Sequence, residues 1–312
     1  MGTEMHKIKD KNEQRRTGFV GSASGWGAQV RETAQGPLTM QGRDLTDSLR
    51  HHRISSYWTT ILHPHASADD LDIPPGEQTL PLIIPHLENL SKAIQALMKE
   101  GEFPCALGGD HVMGVGTFSG AIKCLDAQEN FGLIWVDAHM DSHTPETSPS
   151  SAYHGMPVAS LLGYGEPQLA NLTQKGAKIR PQDLALVGIR SFEPAEAELL
   201  QRLNVKIFYC DDVLERGFET VIQEALAHVS QQTKAFGVSI DLDAFDPKHA
   251  PGVGSPEADG LVPATVLPYL HYVRDHPKFA ALEVTEFNPE RDQEDLTATL
   301  IEDILKEILP RS

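Results

Sequence analysis

The sequence contains two short runs in which potential metal ligands are spaced two residues apart. The first run comprises Asp137, His139 and Asp141, and the second comprises Asp241 and Asp243. Each run follows an apolar stretch that is typical of a buried strand, and side chains two apart on a strand point to the same face. We therefore expect three ligand-type groups to converge from the first strand and two from the second.

A cluster of carboxylates removed from water requires a compensating charge, and protonation or a bound cation is the usual remedy. The mixture of carboxylate oxygen and imidazole nitrogen indicates a divalent transition metal, and the number of ligands indicates two ions. Either run alone would also fit a strand end or an Asx-type turn whose polar side chains face solvent. Both runs together, each after a strand that should be buried on both faces, favour the metal site.

A third run, Gly108-Gly109-Asp110-His111, also follows an apolar strand-like stretch. Its glycines allow a tight turn and a close approach of the backbone, which would direct His111 to the same edge as the other runs. Four carboxylates would offset the charge of two divalent ions, and a water between the ions would have a lowered pKa. The resulting hydroxide would be a nucleophile suited to hydrolysis near neutral pH.

Apolar runs typical of strands alternate with helix-like segments along most of the chain. Strands are predicted at 54–62, 103–107, 131–136, 184–189, 205–209, 235–240 and 279–284. Helices are predicted at 85–99, with Pro85 at the first helical position, and at 115–125, 194–203, 218–229, 263–273 and 292–309. This alternation predicts a three-layer α/β/α fold with a mainly parallel sheet, in which ligands bind beyond the carboxyl ends of the strands.

Composition limits the class of protein and of partner. The 312 residues include 44 acidic and 26 basic side chains, and the formal charge of −18 argues against a nucleic-acid or anionic-membrane partner and favours a small cationic substrate. No apolar run reaches the ~18 residues of a spanning helix, and the N-terminus lacks a signal-peptide apolar region. We therefore expect a cytoplasmic protein with a mobile tail at 1–16 and a single catalytic domain at 17–312.

The three cysteines are too few to form a structural framework. Cys105, Cys124 and Cys210 show no paired spacing, so neither a disulfide network nor a thiolate zinc site is expected.

The motifs GGDH, DAHMD and SIDLDAFDPKHAPGVGSPEADG together resemble the three signatures of the ureohydrolases, manganese enzymes that include arginase, agmatinase and formimidoylglutamase. The resemblance extends from about Gly18 to the C-terminus and implies an arginase-like fold, two Mn²⁺ ions and a homo-oligomer, either a trimer or a hexamer. It implies that one ion is held by His111, Asp137, Asp141 and Asp241, and the other by His139, Asp137, Asp241 and Asp243, so that Asp137 and Asp241 bridge the ions.

Two further residues match catalytic positions of that family. His154, in the loop after the first metal run, matches a histidine that moves a proton, and an unperturbed pKa of about 6.5 would suit that task. Glu286 matches the glutamate that holds the guanidinium group, since a carboxylate can accept paired N–H bonds. A structural hydrogen bond of His154, or a solvent-facing Glu286, is the alternative for each.

The positions that recognise the substrate match the arginase pattern less completely than the metal-ligand positions do. Ser150 and Glu193 lie near arginase positions that contact the α-carboxylate and α-amino groups, and Ser255 and His143 are further candidate contacts. The sequence departs from arginases at His143 and Ala152, where asparagines are typical. The motifs SFEP after the strand predicted at 184–189 and HGMP in the loop after the first metal run look more like bacterial arginases than agmatinases. The resemblance therefore still favours hydrolysis of L-arginine to L-ornithine and urea.

Four alternatives remain open. The first two are an agmatinase or other guanidino-acid hydrolase, and a formimidoylglutamase. The third is a catalytically silent relative, although such proteins normally lose metal ligands. The fourth is a one-zinc deacetylase of related architecture, which would not need both His111 and Asp141.

Overall fold

The computed structural model describes residues 15–66, 72–125 and 129–311. Most of the predicted tail, residues 1–14, lies outside the described residues. Within the described part of the chain, no helix combines the length and apolar character that a membrane span requires.

Eight strands form one sheet in which every neighbouring pair is parallel. They are β1 (Thr17–Ser22), β2 (Ser56–Leu62), β3 (Phe103–Gly108), β4 (Phe131–Val136), β5 (Leu184–Ile189), β6 (Lys206–Tyr209), β7 (Ala235–Asp241) and β8 (Phe279–Thr285). Their order across the sheet is β2-β1-β3-β8-β7-β4-β5-β6. The predicted three-layer fold with a mainly parallel sheet is confirmed.

Helices cover both faces of this sheet. They are α1 (Gly36–Gly42), α2 (Leu45–His51), α3 (Leu80–Lys99), α4 (Met113–Ile122), α5 (Pro157–Leu161), α6 (Pro167–Ala170), α7 (Pro194–Arg202), α8 (Cys210–Arg216), α9 (Phe218–Ser230), α10 (Pro263–Val266), α11 (His271–Arg274) and α12 (Leu296–Ile308). Buried side chains of α3, α4 and α5 pack in one apolar cluster, and those of α2, α9 and α12 pack in a second. Because both faces are covered, the central strands read as continuous apolar runs.

Two helix predictions were wrong, and proline explains both. The third helix begins at Leu80 rather than at Pro85, so Pro81 occupies the helix start and Pro85 lies inside. The predicted helix at 263–273 is broken into α10, a 3₁₀ turn at Leu267–Tyr269 and α11. Pro268 has no amide hydrogen to donate to the preceding turn, which interrupts an α-helix.

The register of the four central strands places their carboxyl ends at the same height along the sheet. Leu107 of β3 pairs with Val284 of β8, Val284 pairs with Ile240 of β7, and Ile240 pairs with Val136 of β4. The residue that follows each of these therefore emerges at the same height. The predicted ligand runs begin at this level on β3, β7 and β4.

A buried histidine gives the fold a pH-dependent stability. His86 on α3 is 3% exposed, and its Nε2 atom lies 2.8 Å from Ser22 Oγ. Burial, with a smaller contribution from the charge of His63, lowers the pKa of His86 to about 4. Between pH 4 and 6.5 the unfolded chain therefore binds more protons at this residue than the folded chain, and stability falls as the pH is lowered.

We expect this histidine to remove about 2 kcal/mol of unfolding free energy between pH 7 and pH 5. Urea titrations of the wild type and of His86→Gln at the two pH values should differ by that amount, because glutamine does not titrate. His51→Gln, on the exposed side of α2, is the control. An identical pH dependence in wild type and His86→Gln would contradict the prediction.

Candidate metal centre

The GGDH turn after β3 is built by close packing of backbone. A side chain at Gly109 would collide with the carbonyl oxygen of Ser24, so only glycine fits there. Asp110 is buried and accepts hydrogen bonds from the backbone of Gly27 (3.0 Å) and Val112 (3.1 Å). These contacts orient the turn so that the next residue, His111, faces the carboxyl edge of the sheet.

His111 lies within a ring of three carboxylates. Its Nδ1 atom is 3.1 Å from Asp137 Oδ2, 3.1 Å from Asp141 Oδ2 and 2.9 Å from Asp241 Oδ2. All four side chains are buried. The structure thus brings together the four residues that sequence analysis assigns to one ion.

A second group shares Asp137 with the first. His139 Nδ1 lies 3.1 Å from Asp243 Oδ2 and 3.5 Å from Asp137 Oδ1. Within each of the groups His111/Asp137/Asp241 and Asp137/His139/Asp243, the potential ligand atoms lie within 4.8 Å of one another. Asp137 therefore presents one oxygen to each group, whereas Asp241 belongs to the first group alone in this arrangement.

The route by which these side chains converge differs from the predicted one. Strand β4 ends at Val136, so the first run lies in a loop, where alternation of strand faces does not apply. Asp141 has a φ of 50°, in the left-handed region, which turns its side chain back towards the site. Asp243 lies in a 3₁₀ turn at Leu242–Ala244. Loop conformation, rather than strand geometry, gathers the ligands.

Three residues that sequence reasoning missed hold the His111 ring in place, by stacking on it or by hydrogen bonding at its Nε2 side. Trp135 stacks on the imidazole with ring centroids 4.0 Å apart. His111 Nε2 lies 2.8 Å from Ser239 Oγ, and this hydroxyl donates to Glu283 Oε1 at 2.9 Å. Because the hydroxyl proton goes to the glutamate, Nε2 carries the hydrogen and Nδ1 is left for another partner. The signal was available in Glu283, a charged residue inside the apolar strand β8.

The electrostatics of the cluster fit a bound cation. Burial and the charge of Asp137 raise the pKa of Asp141 to about 6, and burial with the charges of Asp243 and Asp137 raises that of Asp241. His111 Nδ1 and Asp141 Oδ2 are buried without a hydrogen-bond partner. Cations between these atoms would offset the repulsion between the buried carboxylates and would give the unpartnered atoms a ligand. The donor set therefore fits two divalent ions.

Glu286 and His154 border the same space. Glu286 has a φ of 65°, and its Oε1 accepts a hydrogen bond from the backbone of His111 at 2.8 Å. Its Oε2 is buried without a partner. His154 Nδ1 lies 3.3 Å from Glu286 Oε1. Although burial alone would lower it, the contact with Glu286 and the charge of Asp141 raise the pKa of His154 to about 9, above the unperturbed value that the sequence suggested.

The remaining predicted contacts lie in loops around this centre. His143 Nε2 is 2.9 Å from Glu193 Oε2. A hydrogen bond to Glu196 and then one to His143 lower the pKa of Glu193, whereas burial raises the pKa of Glu196 to about 8. Ser150 Oγ accepts from the backbone of Ala152 at 3.2 Å. Ser255 is half-buried and follows Gly254, where an added Cβ atom would lie 2.6 Å from Glu286 Oε2.

The chain is similar to arginases in both sequence and fold. The sequence model of the arginase family matches residues 17–310. The arginase of Brevibacillus brevis is 37% identical over 211 residues, covering 68% of this chain and 70% of that protein. The arginase of Bacillus caldovelox is 36% identical over 213 residues, with the same coverage of both chains. The solved structure of the B. caldovelox enzyme superposes with a TM-score of 0.88 at 28% identity, covering 96% of this chain and 99% of that one.

Proposed function

The chain belongs to the arginase family, and we propose that it is a manganese-dependent hydrolase that cleaves a C–N bond of a guanidino substrate, with L-arginine giving L-ornithine and urea as the first candidate reaction. The observation that carries this proposal is the pair of histidine–aspartate groups that share Asp137 beside Glu286. Imidazole nitrogens and carboxylate oxygens without a thiolate suit Mn²⁺.

The ions would be held by the six residues named from the sequence. These are His111, Asp137, His139, Asp141, Asp241 and Asp243. Two divalent cations bound there supply charge that lowers the pKa of a water molecule and makes hydroxide available near neutral pH.

Glu286 is suited to hold the guanidinium group. Its Oε1 is occupied by the backbone of His111, and its buried Oε2 is free to accept an N–H bond. A charge-assisted bond at that atom would orient the guanidinium carbon towards the metal centre.

His154 is suited to supply a proton to the leaving nitrogen. Its Nδ1 atom lies 3.3 Å from Glu286 Oε1, a contact that favours the protonated imidazole, and its backbone N–H is fixed to the carbonyl of Gly27 at 3.0 Å. The departing amine needs a proton to leave as a stable product. A histidine next to Glu286 can deliver it without a large movement.

A urea-release assay with Mn²⁺ tests the proposed function. The panel is arginine, agmatine, guanidinobutyrate and formiminoglutamate. Urea is released from the first three only, whereas formiminoglutamate releases formamide. Urea from arginine is the expected result, and the absence of urea from all three guanidino compounds would contradict the proposal.

A guanidino substrate without the α-amino-acid group is the second candidate. The observation in its favour is Ala152, which is 1% exposed and offers no side-chain donor to an α-carboxylate. Agmatine or guanidinobutyrate would then give the higher kcat/KM in the same assay.

Glu193→Gln is expected to raise KM for arginine about tenfold while leaving kcat nearly unchanged. The change removes a charged acceptor for the α-amino group, worth ~1.5 kcal/mol at the low end of the range because the side chain is about half exposed. The exposed fraction is 54%. Steady-state kinetics on arginine and on guanidinobutyrate measure the effect.

Glu198→Gln is the matched control, since Glu198 is exposed on the same helix. Equal losses on the two substrates would show that Glu193 does not contact the amino group, and would favour a substrate other than arginine.

We further propose that residues 17–312 form one catalytic domain, that the protein is a trimer or hexamer, and that it is cytoplasmic. Limited proteolysis, light scattering at micromolar concentration and cell fractionation test these three statements separately.

A further inference from the structure

His143 connects the loop that follows the first metal run to the loop that begins α7. Its ring is 7% exposed. Nε2 lies 2.9 Å from Glu193 Oε2, and Nδ1 lies 3.1 Å from Thr147 Oγ1. Its backbone N–H donates to the carbonyl of Gly155 at 3.0 Å. The imidazole is therefore held at both ring nitrogens, and the backbone of the same residue is held at a third point.

The direction of these hydrogen bonds follows from the partners. The ionised Glu193 carboxylate can only accept, so Nε2 must donate to it. On the other side of the ring, Thr147 Oγ1 lies 3.1 Å from Nδ1 and is itself held by the backbone N–H of Thr144 at 2.9 Å, which fixes the orientation of the imidazole. The N–H group of Nε2 is therefore used by Glu193. A ligand at this carboxylate would meet a hydrogen-bond acceptor and no donor.

Glu193 needs such support. It is the residue that precedes α7, and 54% of its side chain is exposed. Glu193 forms a capping box with Glu196, whose Oε2 accepts from the backbone N–H of Glu193 at 3.0 Å. The bond from His143 adds a direct constraint on the exposed carboxylate, and a side chain that is ordered before binding loses less entropy when the substrate binds.

The side chains around Glu193 favour an ammonium group over a carboxylate. Glu196 Oε2 lies 3.3 Å from the same His143 nitrogen, so a second carboxyl group adjoins Glu193. Arg190, the basic residue of this loop, donates instead to backbone carbonyls, including those of Asp243 at 2.7 Å and Glu257 at 2.8 Å. Acceptors therefore dominate this end of the site.

We propose that His143 is a positioning residue for substrate specificity, which holds the Glu193 carboxylate ready for an amino group at the far end of a guanidino substrate. This inference rests on the proposed function. It assigns to the His143–Glu193 pair a preference for guanidino compounds with a distal ammonium group over analogues that lack it.

The test compares two replacements of the imidazole. His143→Phe keeps a ring of similar size without nitrogen, whereas His143→Gln places an amide N–H near the position of Nε2. The substrates are L-arginine and 5-guanidinopentanoate, which is arginine without its α-amino group.

In His143→Phe, KM for arginine should rise roughly three- to tenfold with kcat within twofold, while KM for 5-guanidinopentanoate stays unchanged. His143→Gln should restore most of the affinity for arginine. In the double variant with Glu193→Gln, the phenylalanine should cause no further loss.

Binding of products separates this inference from the proposed function. L-Ornithine and 5-aminopentanoate differ by the same amino group, and calorimetry measures their affinities without catalysis. His143→Phe should weaken ornithine alone. If the wild type released no urea, the proposed function would fail while this comparison still tested His143.

Several outcomes would overturn the role of His143. One is an equal effect of His143→Phe on both members of each ligand pair in a variant with wild-type thermal stability. Another is a lack of rescue by glutamine. A third is a third metal equivalent per chain that disappears in His143→Phe, because His143, Glu193 and Glu196 also lie within 4.8 Å of one another and an ion would then hold the glutamate.

Discussion

Replacing His111 with alanine is expected to remove one of two bound metal ions and to lower kcat/KM for arginine more than about 100-fold. The reason is that Nδ1 of His111 faces three carboxylate oxygens at 2.9–3.1 Å and has no other partner. The group formed by Asp137, His139 and Asp243 remains intact, so the second ion should stay bound.

Metal content per chain by atomic absorption, measured together with circular dichroism, checks this expectation. The control is His51→Ala, which removes an exposed histidine on α2. Loss of the imidazole also leaves space beside Trp135, so His111→Asn provides a second, less disruptive variant. Two ions per folded chain in both His111 variants would show that His111 is not a ligand.

Glu286→Gln is expected to reduce kcat/KM for every guanidino substrate by roughly 10- to 150-fold, the value of a charge-assisted hydrogen bond of ~1.5–3 kcal/mol. The amide oxygen can still accept from the backbone of His111, so the loop should keep its conformation. The amide nitrogen that replaces Oε2 presents hydrogens to the guanidinium hydrogens. The loss should fall mainly on kcat because the guanidinium carbon would no longer be held in the orientation needed for attack.

Kinetics on arginine, agmatine and guanidinobutyrate measure this loss. Glu290→Gln makes the same chemical change at an exposed position in the following loop and should have no effect. Glu193→Gln should behave differently, because it should raise KM rather than lower kcat, and should do so for arginine more than for guanidinobutyrate. A Glu286 variant with altered KM alone would mean that Glu286 binds substrate without acting on the transition state.

Much of the architecture was readable from local sequence. The apolar runs at 131–136 and 184–189 coincide with β4 and β5 because strands buried on both faces contain almost no polar residues. The DAHMD and GGDH runs were recognisable as ligand sets for a similar reason. Several carboxylates placed after buried strands are too costly to be accidental.

Proline positions account for the two misplaced helices, whereas the short helices α1, α2, α5, α6 and α8 were not predicted at all. Pro85 was taken as a helix start, yet α3 begins at Leu80. Pro268 interrupts a segment whose periodicity was otherwise helical. A proline can start, interrupt or lie within the first turns of a helix, and tertiary packing decides among these.

The sequence by itself identified the candidate ligand residues and predicted that parallel strands would bring them to one edge. Only the tertiary structure decided how they meet. Asp141 and Glu286 adopt left-handed backbone conformations, which depend on strain that the surrounding structure supports. The contacts of His111 with Ser239 and of His143 with Glu193 join segments that are far apart in the chain. Such contacts arise from register and loop packing, which involve the whole fold, whereas residue type and spacing report only on local geometry.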